Sequence, residues 1–136
     1  MSYYIRYLFT DDKGLTLPEV ESAVQQIHPD YAIDEDILVF DDGEYGKIEL
    51  NVAGDEFFES DIEFLEGFAN EKENKEMLLA TLKASKSMVV VQVIWELSHT
   101  ETLKVLEPLF DWLLTNCSGL LVEEGGAFFN RDGLIK

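Results

Sequence analysis

Cations, cysteine and proline are all scarce in this chain, and each scarcity argues against a class of protein. Ten Lys and Arg stand against 28 Asp and Glu, for a formal net charge of −18. Phosphate contacts need clustered Lys and Arg, so the composition argues against direct binding of DNA or RNA, and anionic membrane surfaces are disfavoured likewise. The single cysteine, Cys117, has no partner for an intramolecular disulfide, which fits a reducing cytoplasm better than secretion. The opening residues Met1-Ser2-Tyr3-Tyr4-Ile5-Arg6 lack the basic region, apolar stretch and cleavage site of a secretory signal. No apolar run approaches the roughly 18–20 residues that cross a bilayer. The best run, Met88 to Trp95, suits a buried strand. With three prolines, nine glycines and no low-complexity linker, residues 1–136 read as one globular domain.

What is present is apolar enough to fold. Hydrophobic residues make up 46% of the chain, and the aromatics number nine Phe, five Tyr and two Trp. That composition opposes disorder despite the charge. Tyr3 to Phe9 reads as a strand with apolar side chains on both faces, interrupted by Arg6, followed by a turn at Asp11-Asp12-Lys13-Gly14. Thr16, Pro18 and Glu19 then form a capping-box start for a helix from Leu17 to Ile27, ended by His28-Pro29. A three-strand meander follows at Tyr31–Ile33, Ile37–Phe40 and Tyr45–Val52. In its last strand Ile48, Leu50 and Val52 alternate with Lys47, Glu49 and Asn51, the pattern of one dry and one wet face.

Ser60 with Glu63 predicts a second helix through about Ala69, and Asn70 with Glu73 a third from Glu71 to Ser85. Met88 to Trp95 is the central strand, polar only at Gln92, which reads as a hydrogen-bonded buried amide. Ser98 with Glu101 opens a long helix from His99 to Asn116, in which Pro108 predicts a kink or break and Gly119 a left-handed cap. Leu120–Val122 and Ala127–Phe129 form a hairpin, with Arg131-Asp132-Gly133 as a final turn. The order β-α-βββ-α(α)-β-α-ββ predicts an α+β fold: a mixed, mostly antiparallel sheet with helices packed on one face.

Catalytic and cofactor motifs fail on spacing. The glycines form neither a Walker A loop nor a Gly-x-Gly-x-x-Gly run, so no nucleotide cofactor is expected. Asp34-Glu35-Asp36 resembles the start of a calcium loop, but Leu38 and Val39 occupy the fifth and sixth positions, where an oxygen ligand and glycine belong. His28, His99 and Cys117 lack zinc spacing, and no metal is expected. Asp30 with Glu73-Asn74-Lys75 spells a nuclease-type acid and Glu-x-Lys, but the second part lies at a helix start rather than on a strand. Cys117 follows Phe110 and Leu113 at helical spacing and reads as core rather than as a nucleophile served by His28 or His99.

The remaining feature is local charge. Between Asp30 and Glu66 lie fourteen acids and one lysine, and residues 1–68 carry −15 of the total −18. Asp34, Glu35, Asp36, Asp41, Asp42 and Glu44 fall at the ends of the predicted hairpins. Asp55, Glu56, Glu59 and Glu63 continue through the next loop and helix, with Glu56, Glu59 and Glu63 spaced to share one exposed face. These ten residues are the candidate partner-binding set, and Asp61 and Glu66 extend it. Such a surface either only solubilises the domain or attracts a basic protein. A small, acidic, cytoplasmic α+β domain without a cofactor motif is similar in class and charge to bacterial immunity and inhibitor proteins, some of which imitate DNA. The expected function is therefore non-enzymatic protein–protein interaction. The alternative is a small carboxylate hydrolase, with or without a divalent metal, which requires acids such as Asp41, Asp42 and Asp55 to converge in a cleft.

Overall fold

Strands that are apolar on both faces need cover on both faces, and that requirement organises this fold. The computed structural model describes residues 3–11, 15–94, 99–123 and 125–136. The chain runs β1 (Tyr4–Phe9), α1 (Leu17–Ile27), β2 (Tyr31–Asp34), β3 (Ile37–Phe40), β4 (Gly43–Val52), α2 (Glu56–Ala69), α3 (Lys75–Ala84), β5 (Ser87–Val93), α4 (His99–Asn116), β6 (Gly119–Val122), β7 (Phe128–Asn130) and β8 (Gly133–Ile135). The class is α+β, in the predicted order with one strand added. All eight strands join one antiparallel sheet in the order β2-β3-β4-β5-β1-β6-β7-β8.

Helices pack on both faces of this sheet, not on one as the sequence order implied. Ile5, Tyr7 and Phe9 of β1 and Val89, Val91 and Val93 of β5 join α1 and α4 in the first core. Leu8 of β1 and Met88 and Val90 of β5 turn the other way and meet Phe58, Ile62 and Leu65 of α2 and Leu78 and Leu82 of α3. β4 follows its alternation only as far as Leu50: Ile48 and Leu50 join the first core and Glu49 on the opposite face is exposed. Val52, expected on the dry face, is 58% exposed where the strand runs out toward α2.

Local signals explain most element ends. Thr16 and Glu19 form the predicted reciprocal box, with Glu19 N donating to Thr16 Oγ1 at 3.3 Å and Thr16 N donating to Glu19 Oε1 at 3.1 Å. α2 begins earlier than Ser60 because Asp55 is its cap, accepting from Phe57 N at 3.1 Å. α3 begins at Lys75, later than predicted; Asn74 instead ties down the chain end, its amide nitrogen donating to the Lys136 carbonyl at 2.7 Å. α4 continues through Pro108 without a break.

Gly119 is not a left-handed cap. It is the first residue of β6, opposite Phe9, where a Cβ would overlap the Leu8 carbonyl oxygen. The end of α4 is capped by Arg131, whose Nε and Nη2 donate to the Leu114 and Cys117 carbonyls at 3.2 and 3.3 Å. The expected final turn at Asp132-Gly133 leads into β8. The predicted turn residues Asp12 to Gly14, the strand end at Trp95 and the Ser98 cap lie outside the described residues.

Candidate partner-binding surface

The acidic meander is built from two tight turns that acidic residues make directly. Asp34 pairs with Ile37 across the β2–β3 turn, and Glu35 stands at φ 60° in it. Phe40 pairs with Gly43 across the β3–β4 turn, and both central residues, Asp41 and Asp42, have positive φ, 50° and 67°. Two positive values are what a type I′ hairpin demands, and Asp tolerates this region better than most side chains.

This geometry separates acids that the sequence placed together. The two turns sit at opposite ends of β3, roughly 13 Å apart for a four-residue strand. Asp34, Glu35 and Asp36 lie at one end, and Asp41, Asp42 and Glu44 at the other. Asp55 is farther still from Asp41 and Asp42, because the whole of β4 intervenes. The three residues required by the hydrolase reading therefore do not share a cleft. Among the described residues, no group of three His, Cys, Asp or Glu side chains is arranged to hold a metal ion.

α2 brings the rest of the candidate set to one surface. Glu56, Glu59 and Glu63 are all exposed, as their spacing predicts. Asp55 and Glu59 also have local structural work: Asp55 caps the helix, and Glu59 Oε1 accepts from Gly54 N at 3.1 Å. Both cations of this half that are among the described residues are engaged. Arg6 Nε meets Asp61 Oδ2 at 3.0 Å, and Lys47 Nζ lies 4.0 Å from Asp36 Oδ2. Among the described residues, Glu56 and Glu63 have no cationic partner within 4.0 Å.

Sequence reading missed the aromatic part of this surface. Phe57 and Phe64 are 73% and 54% exposed on α2, while Phe58, Ile62, Leu65 and Ala69 fill the core. The signal was present: Phe57, Phe64 and Phe68 repeat at seven and four residues, about a quarter-turn away from the buried stripe. Phe64 meets Phe68 edge-on at 5.1 Å, and the Arg6 guanidinium lies 5.5 Å from the ring centres of both Tyr4 and Phe64. Arg6 thus fixes one flank of the exposed stripe by charge and by its flat cation.

The other chemical candidates resolve into structural roles. Burial pushes the Cys117 thiol above its ordinary range, and the Asp11 carboxylate adds to the rise while Arg131 opposes it, the reverse of an activated nucleophile. His28 Nδ1 accepts from Asp30 N at 3.1 Å, and its ring packs edge-on against Phe40 at 5.2 Å. The side chain of His99 lies outside the described set. Glu73 stands in the turn before α3 and Lys75 on its first turn, so no Glu-x-Lys strand exists. No helix among the described residues is long and apolar enough to cross a membrane. No family model, curated protein or solved structure matches this chain.

Proposed function

We propose that this protein is a non-catalytic interaction domain that docks a basic protein partner through α2 and the adjoining acidic turns. The observation that carries the reading is the pairing of exposed Phe57 and Phe64 with the uncompensated carboxylates of Glu56 and Glu63. Exposed aromatics supply anchors that a merely solubilising surface does not need, and interface cores are enriched in such side chains. The charge favours a Lys- and Arg-rich partner and disfavours nucleic acid. A bacterial immunity or inhibitor protein acting in the cytoplasm fits this description, and the lone cysteine fits the same compartment.

Affinity capture from the native cytosol, repeated with a Phe57→Ser/Phe64→Ser variant, tests the reading. The expected result is a basic protein retained at about 0.05 M salt, released by about 0.5 M as charges are screened, and lost with the variant. A captured protein that is indifferent both to salt and to the variant would place the interface elsewhere. Recovery of nothing at low salt would leave the acids as a solubilising coat and overturn the proposal.

A further inference from the structure

A second surface lies on the opposite face of the sheet from α2. On the face of the first core α4 packs against β4 and β6, and Phe129 of β7 is only partly buried against that core. Leu121 pairs with Phe129, and Phe129 with Leu134, which places the three side chains in one cross-strand row. Leu121 is buried, Phe129 half-buried and Leu134 58% exposed, so the row emerges into solvent toward the sheet edge. Between α4 and this row runs a trough of ≈ 320 Å³, floored by Ile5, Phe110, Leu121 and Phe129.

Carboxylates stand on both banks. Glu107 and Asp111, four residues apart and exposed on α4, form one, and Glu123 just beyond β6 forms the other. None of the three has a cationic partner within 4.0 Å among the described residues. The apolar floor thus lies between negative rims that no cation among the described residues pairs with.

We propose that this trough binds a cationic amphipathic segment of a partner polypeptide. Its apolar side chains would sit on Phe110 and Phe129, and its Lys or Arg residues against Glu107, Asp111 and Glu123. Charge complementarity selects this occupant over a second copy of the chain, which would bring another −18 to the same rims. The elongated row toward Leu134 selects a polypeptide over a compact small molecule, because it extends the apolar contact about two strand spacings, or roughly 10 Å. A helical segment with apolar residues at i, i+3 and i+4 has the required shape. The site is independent of the α2 surface.

The test is an NMR titration of the isotope-labelled full chain with a helix-forming peptide carrying leucines at i, i+3 and i+4 and lysines elsewhere. A peptide with glutamate at every lysine position, and spermine alone, serve as controls. The expected result is saturable shifts at Leu103, Phe110, Leu114 and Phe129 with the lysine peptide only. Binding should weaken about tenfold in a Glu107→Lys/Asp111→Lys variant whose melting temperature is retained. Shifts confined to α2 and the meander would refute the trough while leaving the α2 proposal standing. Equal binding of the glutamate peptide, equal trough shifts from spermine, or no shift at all would each overturn it.

Discussion

Two tyrosines test the packing, because losing the same hydroxyl should change stability in opposite directions. Tyr7 on β1 is 1% exposed, and its buried hydroxyl has no hydrogen-bond partner among the described residues. Leaving such a group dry costs about 1–3 kcal/mol. Tyr7→Phe removes the oxygen and leaves the ring in its edge contact with Phe9 at 5.0 Å, so the variant should gain about 1 kcal/mol. Tyr31 on β2 is the reverse case. Its hydroxyl donates to the Val105 carbonyl of α4 at 2.6 Å and ties the meander to the helix. Tyr31→Phe should lose about 1 kcal/mol, the net worth of one such bond.

Urea unfolding at neutral pH would show the two midpoints moving apart at unchanged slope, a combined difference of about 2 kcal/mol. The alkaline limb gives a second readout. Burial raises both phenols above their ordinary values, and for Tyr31 the neighbouring Tyr45 adds to the rise. The folded state therefore holds the neutral forms, whereas unfolded tyrosine ionises near pH 10. Their contribution is complete below about pH 10 and is lost as pH climbs toward the raised folded values, by at most about 1.4 kcal/mol per pH unit for each group. Cys117 shifts in the same direction, and its charge adds to the rise at Tyr7, so the comparison is made in a Cys117→Ser background. Tyr7→Phe should flatten the limb above pH 10. A Tyr7→Phe variant that unfolds more easily, or whose alkaline limb matches its parent, would refute the unpartnered hydroxyl.

Two further experiments address the charged surface. Arg6 and Asp61, with side chains 11% and 27% exposed, join β1 to α2; a double-mutant cycle with Arg6→Met and Asp61→Asn should give a coupling of about 1.5 kcal/mol. A coupling below about 0.5 kcal/mol would mean that stacking on Tyr4 and Phe64, not the ion pair, holds Arg6. Glu35→Gly should stabilise the protein by roughly 0.5–1 kcal/mol, because a left-handed residue costs about 1–2 and glycine's own entropy penalty is smaller. Denaturant unfolding reads this directly, and a loss of stability would contradict the positive φ assigned to Glu35.

Local chemistry was readable from the sequence, and long-range partnership was not. The Thr16–Glu19 box and the alternation of β4 as far as Leu50 depend on residues within a few positions of each other, and both appear as read, whereas Val52 at the strand end is exposed. The end of α4 is secured by Arg131, which reaches back 14 and 17 residues, so a nearby glycine offered a false local answer. β8 has three residues and exists through its pairing with β7; a segment that short has no period to detect. The double cover of the sheet was legible in β1 and β5, whose apolar residues point both ways, but element order alone does not show where helices go. The acidic set was correctly placed at turns and on a helix. Its division between opposite ends of β3 follows from pairing register, which residue counting does not supply.

That division bears on how an acidic interaction domain would work. The meander is held to the helical layer by Tyr31 and by Glu21, whose carboxylate accepts from Ile33 N at 2.7 Å. Its two acidic turns therefore hold charge at fixed positions at opposite ends of β3. In the proposed reading these turns act mainly by long-range attraction, which raises the association rate and weakens with salt. Close contact needs groups that exclude water, and on α2 those are Phe57 and Phe64. The proposal thus assigns different kinetics to different residues. Neutralising Asp41 and Asp42 should slow association and flatten its salt dependence, whereas truncating Phe57 or Phe64 should shorten the lifetime of the complex. If both changes altered only the dissociation rate, the turns would belong to the contact itself, and the separation of steering from anchoring would be wrong.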